Sequence, residues 1–163
     1  MQRKFIQSKE ENDSSMIIRP SHLVLGELGE KLALEYLKGM GYRIVLTNLI
    51  VPIGYGLSGR QIRSEIDIVA YDQTRCPFTL TFIEVKTRTK SDIATPEAAV
   101  DARKQRQIIR AARLYRRLLR VETEPYRYDV VSIVSLGGSQ SEYTLFRNYF
   151  TEQKFIRSNW YSH

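Results

Sequence analysis

Three residues on two neighbouring apolar runs have the types and spacing for hydrolytic chemistry. Asp67 lies in Ser64–Tyr71 (SEIDIVAY), and Glu84 and Lys86 lie in Phe78–Thr87 (FTLTFIEVKT). Alternate side chains of a strand share a face, so Glu84 and Lys86 point one way while Ile83 and Val85 point the other. Asp67 stands between Ile66 and Ile68, neighbours that imply partial burial, and a charge there needs a partner or a cation. Hard divalent ions such as Mg²⁺ or Mn²⁺ are held by one or two carboxylates, with water and substrate phosphate in the other positions. Asp67 and Glu84 suit such an ion, which would activate water and neutralise phosphodiester charge while Lys86 orients the nucleophile or stabilises the developing anion. A plain ion pair of Lys86 with Asp67 or Glu84, closing a sheet edge, explains the pattern as well. With only His22 and His163, an imidazole base competes poorly. Cys76, the sole cysteine, leaves neither an internal disulfide nor the ligands of a structural zinc site.

The elements that must position these groups can be read from periodicity and breakers. Residues 1–19 mix charge with Ser, Asn and Asp and read as a flexible leader. Pro20-Ser21 then opens a helix from His22 to about Met40, with Leu25, Leu28, Leu32, Tyr36 and Met40 at helical spacing and Gly39 and Gly41 as its stop. Tyr42–Val51 reads as a strand and Pro52–Arg63 as a loop. Ser64–Tyr71 and Phe78–Thr87 form a hairpin through the turn Asp72–Pro77. Thr95-Pro96 opens a short helical turn through Val100, and Asp101 caps a long helix to about Val121. Arg127–Leu136 and Glu142–Arg147 are two more strands about Gly137-Gly138. The order αβββαββ makes an α/β fold, a central mixed sheet flanked by helices, over residues 20–150, with 151–163 as a C-terminal tail.

Composition narrows the class. The chain has 163 residues and a formal charge of +7, with 42% hydrophobic and 26% charged residues, values of an ordinary globular protein with a bias toward polyanionic partners. No apolar run approaches the roughly 20 residues of a bilayer span, and Met1–Ser15 lacks the apolar stretch of a secretory signal. A cytoplasmic, reducing location is the expectation, without a membrane partner.

The segments GELGEKLALEYLKGMGYRI (Gly26–Ile44), SEIDIVAYD (Ser64–Asp72), FIEVKTR (Phe82–Arg88), TPEAAVDARKQRQI (Thr95–Ile108) and RYDVVSI (Arg127–Ile133) together resemble the YraN family of bacterial proteins. That family is similar to archaeal Holliday-junction resolvases within the PD-D/E-x-K nuclease superfamily, whose core is restriction-endonuclease-like. The resemblance implies a metal-dependent endonuclease of DNA, branched or junction DNA included, using Mg²⁺ or Mn²⁺. It makes Asp67 and Glu84 the metal-binding carboxylates and Lys86 the lysine of the E-x-K element. Glu30 resembles an additional acid brought from the first helix, and Glu65 is expected to face away from Asp67. Resolvases act on two strands, which implies a homodimer. A non-catalytic nucleic-acid-binding module on the same fold is the rival reading. Two departures stand out: Ser64 replaces a usual glycine, and Pro52–Arg63 is longer than the usual link.

The long helix separates into two faces. Ile108, Ala111, Ala112, Tyr115, Leu118 and Leu119 make an apolar stripe, while Arg103, Arg106, Arg110, Arg113, Arg117 and Arg120 lie opposite, as a solvated or a phosphate-tracking face. Lys104 sits on the core side of the first turn, where a cation opposes the helix dipole. The resemblance makes Lys104 and Gln105 second-tier site residues; Arg88 beyond the E-x-K element, Arg103 and Arg106 of the arginine face, and Arg60 of the loop are candidate nucleic-acid contacts. Arg60 and Arg63 mark the 52–63 loop. The aromatic tail, with Phe150, Phe155, Trp160 and Tyr161, is expected to pack rather than stack on bases.

Overall fold

The computed structural model describes residues 21–89, 100–137 and 140–156. The leader at 1–19, the short turn opening at Thr95, and Trp160 and Tyr161 of the tail lie outside the described residues. Eight elements follow in order: α1 (Ser21–Gly39), β1 (Tyr42–Tyr55), β2 (Gln61–Asp72), β3 (Thr79–Thr89), α2 (Ala102–Leu119), β4 (Tyr126–Gly137), β5 (Gln140–Phe150) and the single turn α3 (Gln153–Ile156). The five strands form one sheet in the order β1-β2-β3-β4-β5. β3 and β4 are parallel, which requires a crossover, and α2 is that crossover; the other pairs are antiparallel. The architecture is the α/β mixed sheet flanked by helices that the pattern predicts.

Each sheet face has its own core. On one, Phe82, Leu80, Val69 and Tyr128 pack with Ile108, Ala112 and Tyr115 of α2; on the other, Ile68, Ala70, Ile83 and Val131 pack with Ala33 and Leu37 of α1. The stripe expected on α1 is rotated: Leu28 and Met40 are exposed, and Gly29, Ala33 and Leu37, four apart, form the buried ridge. Small residues at two of those positions let the helix backbone approach β3. Leu118 and Leu119 also depart from expectation, being exposed at the end of α2, where Arg120 turns the chain into the left-handed region (φ 56°).

The loop expected at Pro52–Arg63 is instead the extended end of a β1–β2 hairpin, with Val51 paired to Ser64 and Pro52 to Arg63. β1 is an edge strand, so the missing N–H of Pro52 is tolerated there. A bulge follows between Pro52 and Gly54, and Gly54 takes φ +140°. Gly56 N–H donates to the Arg60 carbonyl at 2.8 Å, which closes the turn. The glycines that read as a loop are thus the bulge and the tip of one continuous ribbon.

At the other end of the sheet an ion network ties four strands together. Arg127 reaches Asp72 at 2.6 Å, Asp129 at 2.9 Å and the Tyr42 hydroxyl at 2.7 Å. Asp129 is fully buried, and it also accepts from Asn148 N–H at 2.8 Å. Burial works to raise the Asp72 carboxyl, but its bonds from Thr74 and Arg127 hold it at about 2. Burial and the Asp129 charge push the Tyr42 phenol up to about 12. Periodicity did not reveal this network, because its members are polar residues scattered over four strands, two of them on β4.

Candidate functional site

The candidate site forms where β2 and β3 part. Their ladder ends at Ile68↔Ile83, one position before Asp67 and Glu84 would pair. Ile66 belongs to the core on the α2 side and Ile68 to the one on the α1 side, although they are two apart, so β2 turns over at Asp67. In the gap, Asp67 Oδ2 accepts the Val85 N–H at 2.6 Å, replacing a ladder bond by a carboxylate cap.

Glu84 is 2% exposed and faces the first turn of α2. Lys86 Nζ donates to its Oε1 at 2.8 Å, and Lys104 Nζ stands 3.1 Å from its Oε2. That Oε2 is buried and accepts no hydrogen bond of good geometry, despite the nearby ammonium; the Lys104 donor is directed instead to the Glu65 carbonyl at 3.2 Å. The pairing of Lys86 with Glu84 matches one of the two readings of the E-x-K spacing. It leaves the second carboxylate oxygen for a different cation.

Asp67 carries the electrostatic tension of the site. Desolvation first, and the Glu84 charge second, raise its carboxyl to about 7, against the Val85 bond and the Lys104 charge, which lower it. Glu30 is raised as well, by desolvation, then by Glu65, with Glu84 the smallest of its influences. Asn48 hydrogen-bonds Glu30 and so opposes that rise. Asn48 lies between the pairs Thr47↔Ile68 and Leu49↔Ile66, across from Asp67, with φ 52°. Glu30, Asn48 and Asp67 line a cleft of about 390 Å³ together with Glu27 and Thr47.

Asp67, Glu84, Lys86 and Lys104 therefore converge, and Glu30 joins them across the cleft at longer range. Glu65 is exposed; its charge acts on Glu30, and its backbone carbonyl accepts from Lys104 Nζ. Asn48 carried no signal in the sequence. Gln105 is buried, with Nε2 donating to the Val100 carbonyl at 2.7 Å and Oε1 accepting from Lys154 at 3.3 Å, so it braces α2 rather than meeting the carboxylates. Arg88 is half-buried on β3, two positions beyond Lys86. Arg103 and Arg106 are exposed, Arg106 lying over the Phe155 ring at 5.3 Å. Arg60 is at the exposed tip of the β1–β2 ribbon, about 20 Å along the strand from Asp67. Phe150 is buried and Phe155 packs on the core, so the start of the tail packs as expected.

Among the described residues no group of three or more His, Cys, Asp or Glu is arranged to hold a metal ion. Two carboxylates with water and phosphate suffice for a hard divalent ion. The buried, unsatisfied Glu84 Oε2 and the desolvated Asp67 carboxyl are the groups such an ion would relieve, so the residues present fit one.

The Uncharacterised protein family UPF0102 model matches residues 29–133, most of the chain from α1 to β4. The chain belongs to the UPF0102 (YraN) family. A UPF0102 protein of Chlorobium limicola is 39% identical over 136 residues, covering 83% of this chain and 92% of its own. One from Koribacter versatilis is 40% identical over 131 residues, covering 80% and 82%. One from Dehalococcoides mccartyi is 39% identical over 128 residues, covering 78% and 93%. A solved structure described as "Crystal structure of SSO0001" aligns with 85% of this chain and 57% of its own at 16% identity and a TM-score of 0.38, too remote to carry an argument. The UPF0102 match spans Gly29, Glu30, Asp67, Glu84, Lys86 and Lys104. No helix among the described residues is long and apolar enough to cross a membrane.

Proposed function

We propose that this UPF0102 protein is a nuclease that hydrolyses phosphodiester bonds of DNA, branched DNA included, with Mg²⁺ or Mn²⁺ as cofactor. The observation that carries the reading is the meeting of Asp67 and Glu84 where β2 and β3 part, with two lysines on Glu84. Asp67 and Glu84 would hold the ion, with Glu30 across the cleft beside its outer ligands. When bound, a hard divalent ion supplies charge neutralisation at the scissile phosphate and lowers the pKa of water. Asp67, capped by Val85 N–H, presents its free oxygen to the cleft in a fixed orientation. Lys86, 34% exposed at the side chain, can swing from Glu84 to the attacking or leaving oxygen and offset the charge that develops there. Arg88, Arg103 and Arg106 would contact the phosphate backbone, which positions the strand without reading its sequence. A homodimer would present two such sites to a four-way junction.

One observation favours a second reading, a nucleic-acid-binding module without catalysis: Lys86 and Lys104 together already neutralise Glu84. A single experiment separates the two. Purified protein is incubated with junction, flap and duplex DNA in Mn²⁺ or Mg²⁺, beside Asp67→Ala and Lys86→Ala, with ion binding measured by calorimetry. Cleavage lost in both variants, with ion binding lost in Asp67→Ala, supports the nuclease. Salt-sensitive DNA binding without ion binding or cleavage supports the module.

A further inference from the structure

The far end of the β1–β2 hairpin plays no part in the site just described. β2 pairs with β3 only from Ile68 to Asp72, so residues 61–67 pair with β1 alone and the ribbon runs past the edge of β3. An isolated two-stranded ribbon is marginal in water. Here Val51 and Ile66 on its inner side are buried in the α2 core, with Ile53 packed against them, and this holds the tip in a defined place.

The tip is apolar where it meets solvent. Tyr55 is 74% exposed and Leu57 fully exposed. The turn needs Gly59 for its geometry (φ +71°), but a polar residue would serve at 57 as well as leucine. Singly exposed apolar residues are ordinary, but Tyr55 and Leu57 stand two residues apart on one tip and can act together as a small contact surface. The charge around them is one-sided: from Ile44 to Ser64 the sequence has two charged residues, Arg60 and Arg63, and no Asp or Glu. Arg60 is exposed at the tip, and Arg63 is exposed with its Nε donating to Gln61 Oε1 at 3.2 Å. An aromatic ring and an aliphatic wedge framed by arginines suit bases that have left the duplex stack. Every base offers a π-face, and the phosphates on either side offer charge.

We propose that the β1–β2 tip is a docking surface for unpaired nucleotides of DNA, Tyr55 stacking on an exposed base, Leu57 pressing on its neighbour, and Arg60 and Arg63 holding the flanking phosphates. It rests on the nuclease reading only for its choice of nucleic acid as partner. Tyr55 is paired with Gln61, six residues along β2 from Asp67, or about 20 Å. At 3.4 Å per base pair the unpaired bases would sit at most about six base pairs from the carboxylates. A substrate with a duplex-to-single-strand transition at that spacing engages both places at once.

The test uses the full chain in EDTA, so that binding is read without cleavage. Fluorescence anisotropy compares a forked duplex bearing unpaired arms with a blunt duplex of equal length. Tyr55→Ala/Leu57→Ser is expected to weaken the fork about tenfold and leave the blunt duplex within about twofold. In parallel, 2-aminopurine in an unpaired arm is quenched by the parent protein and not by the variant. Should the double variant melt early, Arg60→Gln/Arg63→Gln lowers the slope of log affinity against log salt for the fork by about 1.5–2. Equal losses on fork and duplex, or no loss on either, overturn the proposal. So does sedimentation showing that the variant turns a dimer into a monomer, which would make the tip a contact between copies. Fork binding through the tip by a protein that never cleaves in Mn²⁺ would sink the nuclease reading alone, and cleavage indifferent to the tip would sink only this one.

Discussion

Lys104 Nζ stands 3.1 Å from Glu84 Oε2, the oxygen left over after Lys86 takes Oε1 at 2.8 Å. An ammonium from the first turn of α2 thus lies where a divalent ion would meet the same oxygen, and on the proposed reading the two cations would compete. Lys104→Met removes the competitor but leaves a buried carboxylate with one partner. Both lysines are partly solvated, so the cost to the ion-free protein is about 1–2 kcal/mol, below the 3–5 of fully buried pairs. Mn²⁺ affinity by calorimetry is expected to rise several-fold, and the Mn²⁺-induced increase in Tm to grow with it. A variant that binds Mn²⁺ no better than the parent would show that the ammonium does not occupy the ion's place.

Asp67 sets a pH dependence of known sign. Its folded pKa is about 7, above the ordinary 3.8, chiefly through desolvation and then through Glu84. Between those values the folded chain holds a proton that the unfolded chain releases. Stability therefore falls as pH rises from about 4 to 7, by at most a few kcal/mol from this group. Asp67→Asn keeps an acceptor for Val85 N–H and carries no proton to lose. In EDTA, urea melts at pH 4.5, 6 and 8 are expected to show a steeper fall for the parent than for the variant, which is the more stable at pH 8. Saturating Mn²⁺ flattens the parent's profile too, because the ion favours the ionised carboxylate.

The network at the other end of the sheet predicts the opposite pattern of effects. Arg127→Gln leaves Asp72 and the fully buried Asp129 without their shared cation. Breaking such a pair from one side costs about 3–5 kcal/mol. Asp72 lies five residues from Asp67 along β2, about 17 Å away, so the ion site is left intact. Chemical melts should record the loss while Mn²⁺ still raises the Tm by as much as in the parent. A parallel loss of ion binding would mean that the two ends of β2 are coupled.

How much of this was legible follows from what each signal encodes. Alternation placed Glu84 and Lys86 on one face, and helical spacing placed Lys104 on the core side of α2, because both depend only on local geometry. Asp101 was readable as a cap for the same reason, and it accepts the Lys104 N–H at 2.8 Å. The end of β1 was missed because Pro52, Gly54, Gly56 and Gly59 are breakers in most settings. Only the position of β1 at the sheet edge makes them compatible with a strand. Asn48 was invisible, since its link to Glu30 depends on how α1 docks against β1. The role of Lys104 as partner to Glu84 rather than to solvent depends on how α2 docks on the sheet, which no local window contains.

Gly29 supplies the last prediction, since it governs whether Glu30 reaches the cleft at all. A Cβ at Gly29 would overlap the Thr87 hydroxyl oxygen on β3 and come within 2.9 Å of its Cβ. The glycine that precedes Glu30 in the GE pair is therefore there for close approach of α1 to the sheet. Gly29→Ala has a helix-propensity gain of about 1 kcal/mol, but overpacking in a fixed contact costs about 1–3 kcal/mol and tilts the helix outward. Net stability should fall by up to about 2 kcal/mol, and the rise in Tm given by Mn²⁺ should shrink as Glu30 withdraws. Thr87→Ala removes the hydroxyl and the methyl that would be struck but keeps the Cβ at 2.9 Å, so Gly29→Ala/Thr87→Ala is expected to recover a good part, not all, of both. A double variant as impaired as Gly29→Ala alone would show that the glycine is needed for some reason other than its distance from Thr87.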